Sequence, residues 1–240
     1  MDYGIQLYSV RDVAEQNLEE AVQKMAALGY KQMEFAGFFG RSAEQVNEML
    51  QKNGVTLSGT HSPFDDLVNA YEETLAFHKA IGNKHYIIPG YNLKDQQRLD
   101  KFVEEVNPIA ERLAKEGIIL SFHNHHREFI PNEDGSVIFE QLLYRTNLHF
   151  EVDTYWAFVG MKNPLAILDR VKDRLIAVHL KDGSADGKGT PLGMGEAPVA
   201  EVWHAVKDFG IPMIVESETC SPDGPTEAKI CIEYLRSLEK

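Results

Sequence analysis

With 240 residues, 43% of them hydrophobic, the chain is long enough to bury a large core and short enough to be one unit, so a single domain over residues 1–240 is expected. A formal net charge of -13 repels phosphate backbones and anionic lipid headgroups, which argues against nucleic acid and membrane surfaces as partners. Met1 to Leu7 form neither a basic region nor a long apolar run, and no segment reaches the roughly 20 apolar residues that span a bilayer, so a soluble cytoplasmic protein is expected.

In chain order, short apolar, β-branched or aromatic runs alternate with amphipathic helical stretches. The first strand is expected over Tyr3–Ser9, and Leu18, Ala21, Val22, Met25 and Ala26 then form a helical stripe that ends at Gly29. A strand over Gln32–Phe35 leads to a helix opened by Ser42 and Gln45, which have the spacing of a capping box, and closed at Gly54. Strands follow at Thr56–His61 and His85–Pro89, then a helix with Phe102, Val106, Ile109, Ala110 and Leu113 on one face. The remaining strands are Ile118–His123, His149–Asp153, Ile176–Leu180 and Met213–Ser217. Between the last two, the Gly- and Pro-rich stretch from Asp182 to Pro198 reads as a loop, and Gly183 to Gly195 has the length of a lid. Cys220 and Cys231 match no zinc or redox spacing and are expected as reduced thiols.

Nearly continuous apolar strands are those of a parallel sheet covered on both faces, and eight strand–helix units in this length fit an α/β (β/α)₈ TIM barrel. A doubly wound open sheet is the alternative. It is disfavoured because Gln6-Leu7-Tyr8-Ser9-Val10-Arg11 stands where a nucleotide-binding Gly-x-Gly-x-x-Gly would follow the first strand.

In a TIM barrel the working groups lie at the C-terminal ends of the strands. Those ends carry Glu34, His61, His123-Asn124-His125, Glu151-Val152-Asp153, His179-Leu180-Lys181-Asp182 and Glu216-Ser217-Glu218. Several such groups facing one another across a narrow mouth are costly without a shared cation. His123, Asp153, His179 and Glu216 offer two imidazoles and two carboxylates, a set suited to one divalent ion, with manganese placed ahead of magnesium, cobalt or zinc. His125 lies two residues beyond His123 and is an alternative ligand, as Glu151 is to Asp153. Glu34 and His61 are expected to meet the substrate from the second and third strands. Trp156 offers a ring an apolar face, Lys181 a charge for a carbonyl, and Glu128 with Arg127 a further wall.

Gly4-Ile5-Gln6-Leu7-Tyr8-Ser9, His123-Asn124-His125, the run Phe150 to Trp156, and His179-Leu180-Lys181-Asp182 together resemble the sugar phosphate isomerase/epimerase superfamily, the xylose isomerase-like TIM barrels, from the first strand to the last. In the epimerases of that superfamily a Glu, an Asp, a His and a Glu from strands five to eight hold the metal, and the resemblance puts Asp153, His179 and Glu216 in the last three positions. The strand-five position falls on His123. The two-glutamate proton shuttle that the resemblance implies is therefore incomplete here, and a His-x-His at strand five is similar to inosose dehydratase-like and keto-glycoside lyase-like barrels.

The first expectation is thus a metal-dependent isomerase or epimerase acting on a small polyhydroxylated sugar or sugar derivative through a metal-stabilised enediolate, with Glu216, His125 and His123 as catalytic groups. The alternative is a lyase or dehydratase on a keto-sugar, keto-glycoside or inosose. Behind these stand an abasic-site endonuclease, which the acidic balance disfavours, and a barrel without turnover. The sequence leaves open whether the chain forms a homo-oligomer.

Overall fold

A computed structural model describes residues 1–240. Eight strands, β1 (Gly4–Gln6), β2 (Gln32–Phe35), β3 (Thr56–His61), β4 (His85–Ile88), β5 (Ile119–His123), β6 (His149–Asp153), β7 (Leu175–Leu180) and β8 (Met213–Val215), close into a barrel. Every neighbouring pair is parallel, and β1 joins β2 on one side and β8 on the other, so no edge is left open. The α/β barrel expected from the strand count is the fold observed.

Local sequence explains the helical layer. Asn17 caps the helix Leu18–Leu28 by accepting from the Glu20 amide, and Gly29 closes it at a φ of 103°, a conformation that side chains with a Cβ resist. Ser42 and Gln45 exchange both bonds of the capping box at the start of Ala43–Asn53. The long helix Gln96–Lys115 buries Leu99, Phe102, Val106, Ala110 and Leu113 against the barrel wall, while Ile109 is only half-buried.

Two strands are shorter than their apolar runs. The side chain of Gln6 accepts from the Tyr8 amide, which turns Leu7–Val10 into a 3₁₀ turn and ends β1 early. β8 stops at Val215, so Glu216 and Ser217 belong to the loop above it.

The apolar core lies mainly between strands and helices. A separate small cluster of Ile87, Ile176, Ala177 and Ile214 fills the lower interior of the barrel. β4 and β8 stand on opposite sides of the ring, so a cluster that holds both Ile87 and Ile214 has to run through its centre. Gly4 and Gly59 make room for it, since a Cβ at either position would collide with Ile214 or Ile87. Above this plug the interior turns polar. No helix is long and apolar enough to cross a membrane.

Candidate active site

His123 and Asp153 are the last residues of β5 and β6, His179 is the penultimate residue of β7, and Glu216 follows β8 directly. Register pairs Asp153 with His179 across the β6–β7 ladder, and parallel pairing brings the four side chains together at the mouth. One ligand atom from each of His123, Asp153, His179 and Glu216 lies within 4.8 Å of the others, and all four residues are buried. This is the quartet picked out from the strand ends.

The donor set fits a cation. Oδ1 of Asp153 accepts from the Trp156 amide at 2.7 Å, opening the helix Thr154–Val159, while Oδ2 is buried with no hydrogen-bond partner. Nδ1 of His179 is also buried without a hydrogen bond and faces Glu216 Oε2 at 3.4 Å. Buried polar atoms left without a partner are costly, and a divalent ion among them removes that cost. Burial holds the His123 imidazole neutral, its pKa lowered to about 3, which is the form that ligates metal. Burial also lifts the Asp153 carboxyl to about 7 against the pull of Lys181. For Glu216 burial acts in the same sense, but Lys181 and His179 outweigh it and hold the group ionised, well below the usual range.

A second polar layer lies beneath. Glu151 Oε2 sits 2.6 Å from His61 Nε2, 3.1 Å from His179 Nε2 and 3.2 Å from His123 Nδ1. Glu34 Oε1 accepts from Gln6 Nε2 and from His179 Nε2, both at 2.8 Å. His61, His123, Glu151 and His179 therefore form a group that overlaps the mouth quartet. Burial, followed by the charge of Glu151, raises the Glu34 carboxyl to about 7. The burial of Glu151 is outweighed by His179 and His61, which keep it ionised. His61 loses proton affinity by burial but gains more from Glu34 and Glu151, so its pKa is raised.

Above the quartet opens a cavity of about 490 Å³ lined by Tyr8, His61, His123, His125, Glu216 and Glu218, among others. Of the expected substrate contacts, His61 reaches this cavity and four others do not. Glu34 is enclosed within the barrel, 0% exposed, and serves Gln6 and His179 instead. Glu128 is buried beside the loop after β5, where it accepts from the His125 amide at 2.8 Å, and Arg127 is exposed. Trp156 stacks near His125 and His126 and covers Lys181, whose Nζ lies 4.5 Å from its ring centroid. Lys181 is buried, 2.7 Å from Glu218 and 3.4 Å from Glu216.

Two roles emerge only in the folded chain. Glu218 meets Lys181 at the rim of the cavity. Asp182 is buried and accepts from four amides, those of Gly183 (2.8 Å), Gly193 (2.9 Å), Gly195 (3.0 Å) and Ala197 (3.1 Å). The loop expected as a lid is thus folded around one carboxylate, with a short antiparallel ladder of Asp182–Gly183 against Gly189–Thr190. Both cysteines are free.

A family model of the xylose isomerase-like TIM barrel matches residues 22–238. The chain belongs to that family. An inosose dehydratase of Lacticaseibacillus casei is 20% identical, over 85% of this chain and 83% of that protein. Among solved structures, a sugar phosphate isomerase/epimerase from Parabacteroides distasonis superposes with a TM-score of 0.84 at 20% identity, over 98% of this chain and 93% of the other. The probable 3-DHS dehydratase of petrobactin synthesis from Bacillus anthracis gives 0.77 at 14% identity, over 98% and 99%. A D-allulose 3-epimerase from Methylomonas sp. in complex with D-allulose gives 0.73 at 18%, over 99% and 96%. At these identities the structural likeness establishes the barrel alone.

Proposed function

We propose that this barrel is a divalent-metal-dependent enzyme that takes a proton from the carbon beside a carbonyl of a small polyhydroxylated substrate, and that it uses the step for elimination, as a dehydratase or lyase. The observation that carries the choice is the asymmetry of the cavity. Its carboxylates, Glu216 and Glu218, both come from the β8 side, whereas the β3 and β5 side presents only the imidazoles of His61, His123 and His125. A symmetric shuttle needs matched bases on the two faces of a sugar, while elimination needs one base and one acid.

His123, Asp153, His179 and Glu216 would hold the ion. When bound, it supplies Lewis-acid stabilisation of charge developing at the substrate carbonyl oxygen. Burial lowers the His125 pKa to about 4, so its ring is neutral at pH 7 and can accept the carbon-bound proton at a ring nitrogen. His61 commits Nε2 to Glu151, which leaves Nδ1 as the nitrogen that a departing oxygen can meet. With its raised pKa, His61 is the proton donor of the cavity. The dehydratases among the relatives support this reading.

Isomerisation or epimerisation is the second reading, favoured by the lining of one cavity by Glu216 and the neutral His125 from different sides of the barrel. Metal-loaded protein incubated in heavy water with ketoses, inososes and 3-keto-glycosides separates the two. Elimination predicts loss of water or aglycone together with a new conjugated double bond. Deuterium uptake without that loss refutes elimination in favour of isomerisation, and no turnover or exchange on any substrate refutes both.

A further inference from the structure

Beside the mouth lies a second cavity, of about 420 Å³, between the loop after β2 and the two helices Phe64–Asn69 and Tyr71–Ala80. It shares Gly37, His61 and Pro63 with the first, so the two lie side by side at His61. Phe38 and Phe77, both half-buried, face it as an edge-to-face pair with centroids 4.8 Å apart, and the carboxylates of Asp66 and Glu73 stand at its rim. Half-exposed aromatic faces beside carboxylates suit an uncharged ring: the rings cover its apolar face and the carboxylates accept from its hydroxyls.

Neither cavity is lined by Lys or Arg. The cations nearby are already engaged, since Lys181 is buried against Glu216 and Glu218, and Arg11 lies over Tyr8 and donates to the Glu218 carbonyl at 2.6 Å. A phosphate group, which needs such donors, would meet carboxylates in both cavities.

We propose that the second cavity is the subsite for the leaving group, and that the substrate is an uncharged glycoside-like compound of two rings rather than a phosphorylated single sugar. This assignment rests on the elimination reading for its chemistry. The proton on the carbon beside the carbonyl passes to His125, and the C–H electron pair becomes a carbon–carbon double bond. The C–O bond to the second ring breaks with its pair on oxygen, and that oxygen departs as a hydroxyl with the proton of His61. Electrons balance without an oxidant or reductant.

The test measures binding of unreactive probes to the manganese-loaded protein by calorimetry: methyl β-glucoside, phenyl β-glucoside, cellobiose and glucose 6-phosphate. Phenyl glucoside and cellobiose should each bind roughly ten-fold more tightly than methyl glucoside. Ala70→Trp, at an exposed position lining the second cavity, should abolish that advantage while leaving methyl glucoside unchanged. The subsite is overturned if neither two-ring probe binds better than methyl glucoside, if the advantage survives Ala70→Trp, or if glucose 6-phosphate binds best. Binding needs no turnover, so these outcomes are distinct from those of the heavy-water experiment. An advantage for cellobiose alone identifies the second ring as a sugar, and one for phenyl glucoside alone as an aryl group.

Discussion

Lys181 is the one lysine buried among the mouth carboxylates, and replacing it by Met tests the electrostatic account of the site. Its Nζ lies 2.7 Å from Glu218, 3.4 Å from Glu216 and 4.0 Å from Asp153, and the residue is 1% exposed. Met keeps the length and apolar stem, so the charge is the main thing lost. Removing one partner of a buried ion pair typically costs about 3–5 kcal/mol, which in a chain of this size lowers Tm by roughly 6–20 °C. Asp153, held near 7 by burial, can escape part of that cost by taking up a proton. The loss in EDTA should therefore be largest near pH 8 and smaller near pH 6. A divalent ion supplies the missing charge, so the loss in excess manganese should be markedly smaller. By the thermodynamic cycle, Lys181→Met must then bind manganese more tightly than the unaltered protein, by roughly ten-fold for each 1.4 kcal/mol of difference. Urea unfolding with EDTA and with manganese, at both pH values, measures each quantity. An equal loss with and without metal, or weaker manganese binding by the variant, would refute the reasoning.

Glu151→Gln keeps the shape of the inner layer but removes the charge facing His61, His123 and His179, and manganese affinity measured by calorimetry should fall roughly 10–100-fold. Asp182→Ala strips four loop amides of their acceptor; stability should drop by about 2–3 kcal/mol, with hydrogen exchange of residues 183–197 accelerating ahead of the barrel strands. Burial lowers the His78 pKa to about 4, and its Nδ1 accepts from Asn83 at 3.0 Å. Between pH 6.5 and 4 the unfolded chain takes up a proton there that the folded chain refuses, so stability should fall as pH is lowered through that window, by up to about 3 kcal/mol from this residue. His78→Gln should flatten that part of the profile, and an unchanged slope in urea titrations would exclude the assignment.

The barrel and its mouth quartet were legible because they depend on local signals. Alternating strand and helix patterns set the fold, and the C-terminal end of a strand is a position that can be read without knowing its neighbours. Depth was not legible. Glu34 and Glu151 look like strand-end residues similar to Asp153, yet they lie a layer below the mouth. Glu151 is set there by its place two residues before the end of β6, and Glu34 by stagger between strands, including the register shift at Met33/Glu34, which no pattern within one strand records. Lys181 and Trp156 were read as facing substrate because their positions follow the ligands closely, but the helix that Asp153 caps carries Trp156 over Lys181 and takes both out of the cavity. Asp182 was hidden for a different reason: a carboxylate that serves amides up to 15 residues ahead has no spacing signature.

His179 joins the two polar layers through a single ring, with Nε2 turned to Glu34 and Glu151 and Nδ1 turned to Glu216. The part of the barrel that most proteins of this architecture give over to packing is here ionic. Exchanging Gln6, Glu34, His61 and Glu151 for apolar side chains of matching volume would then be expected to yield a hardier barrel with a ruined mouth, so selection for robustness and selection for chemistry pull this interior in opposite directions.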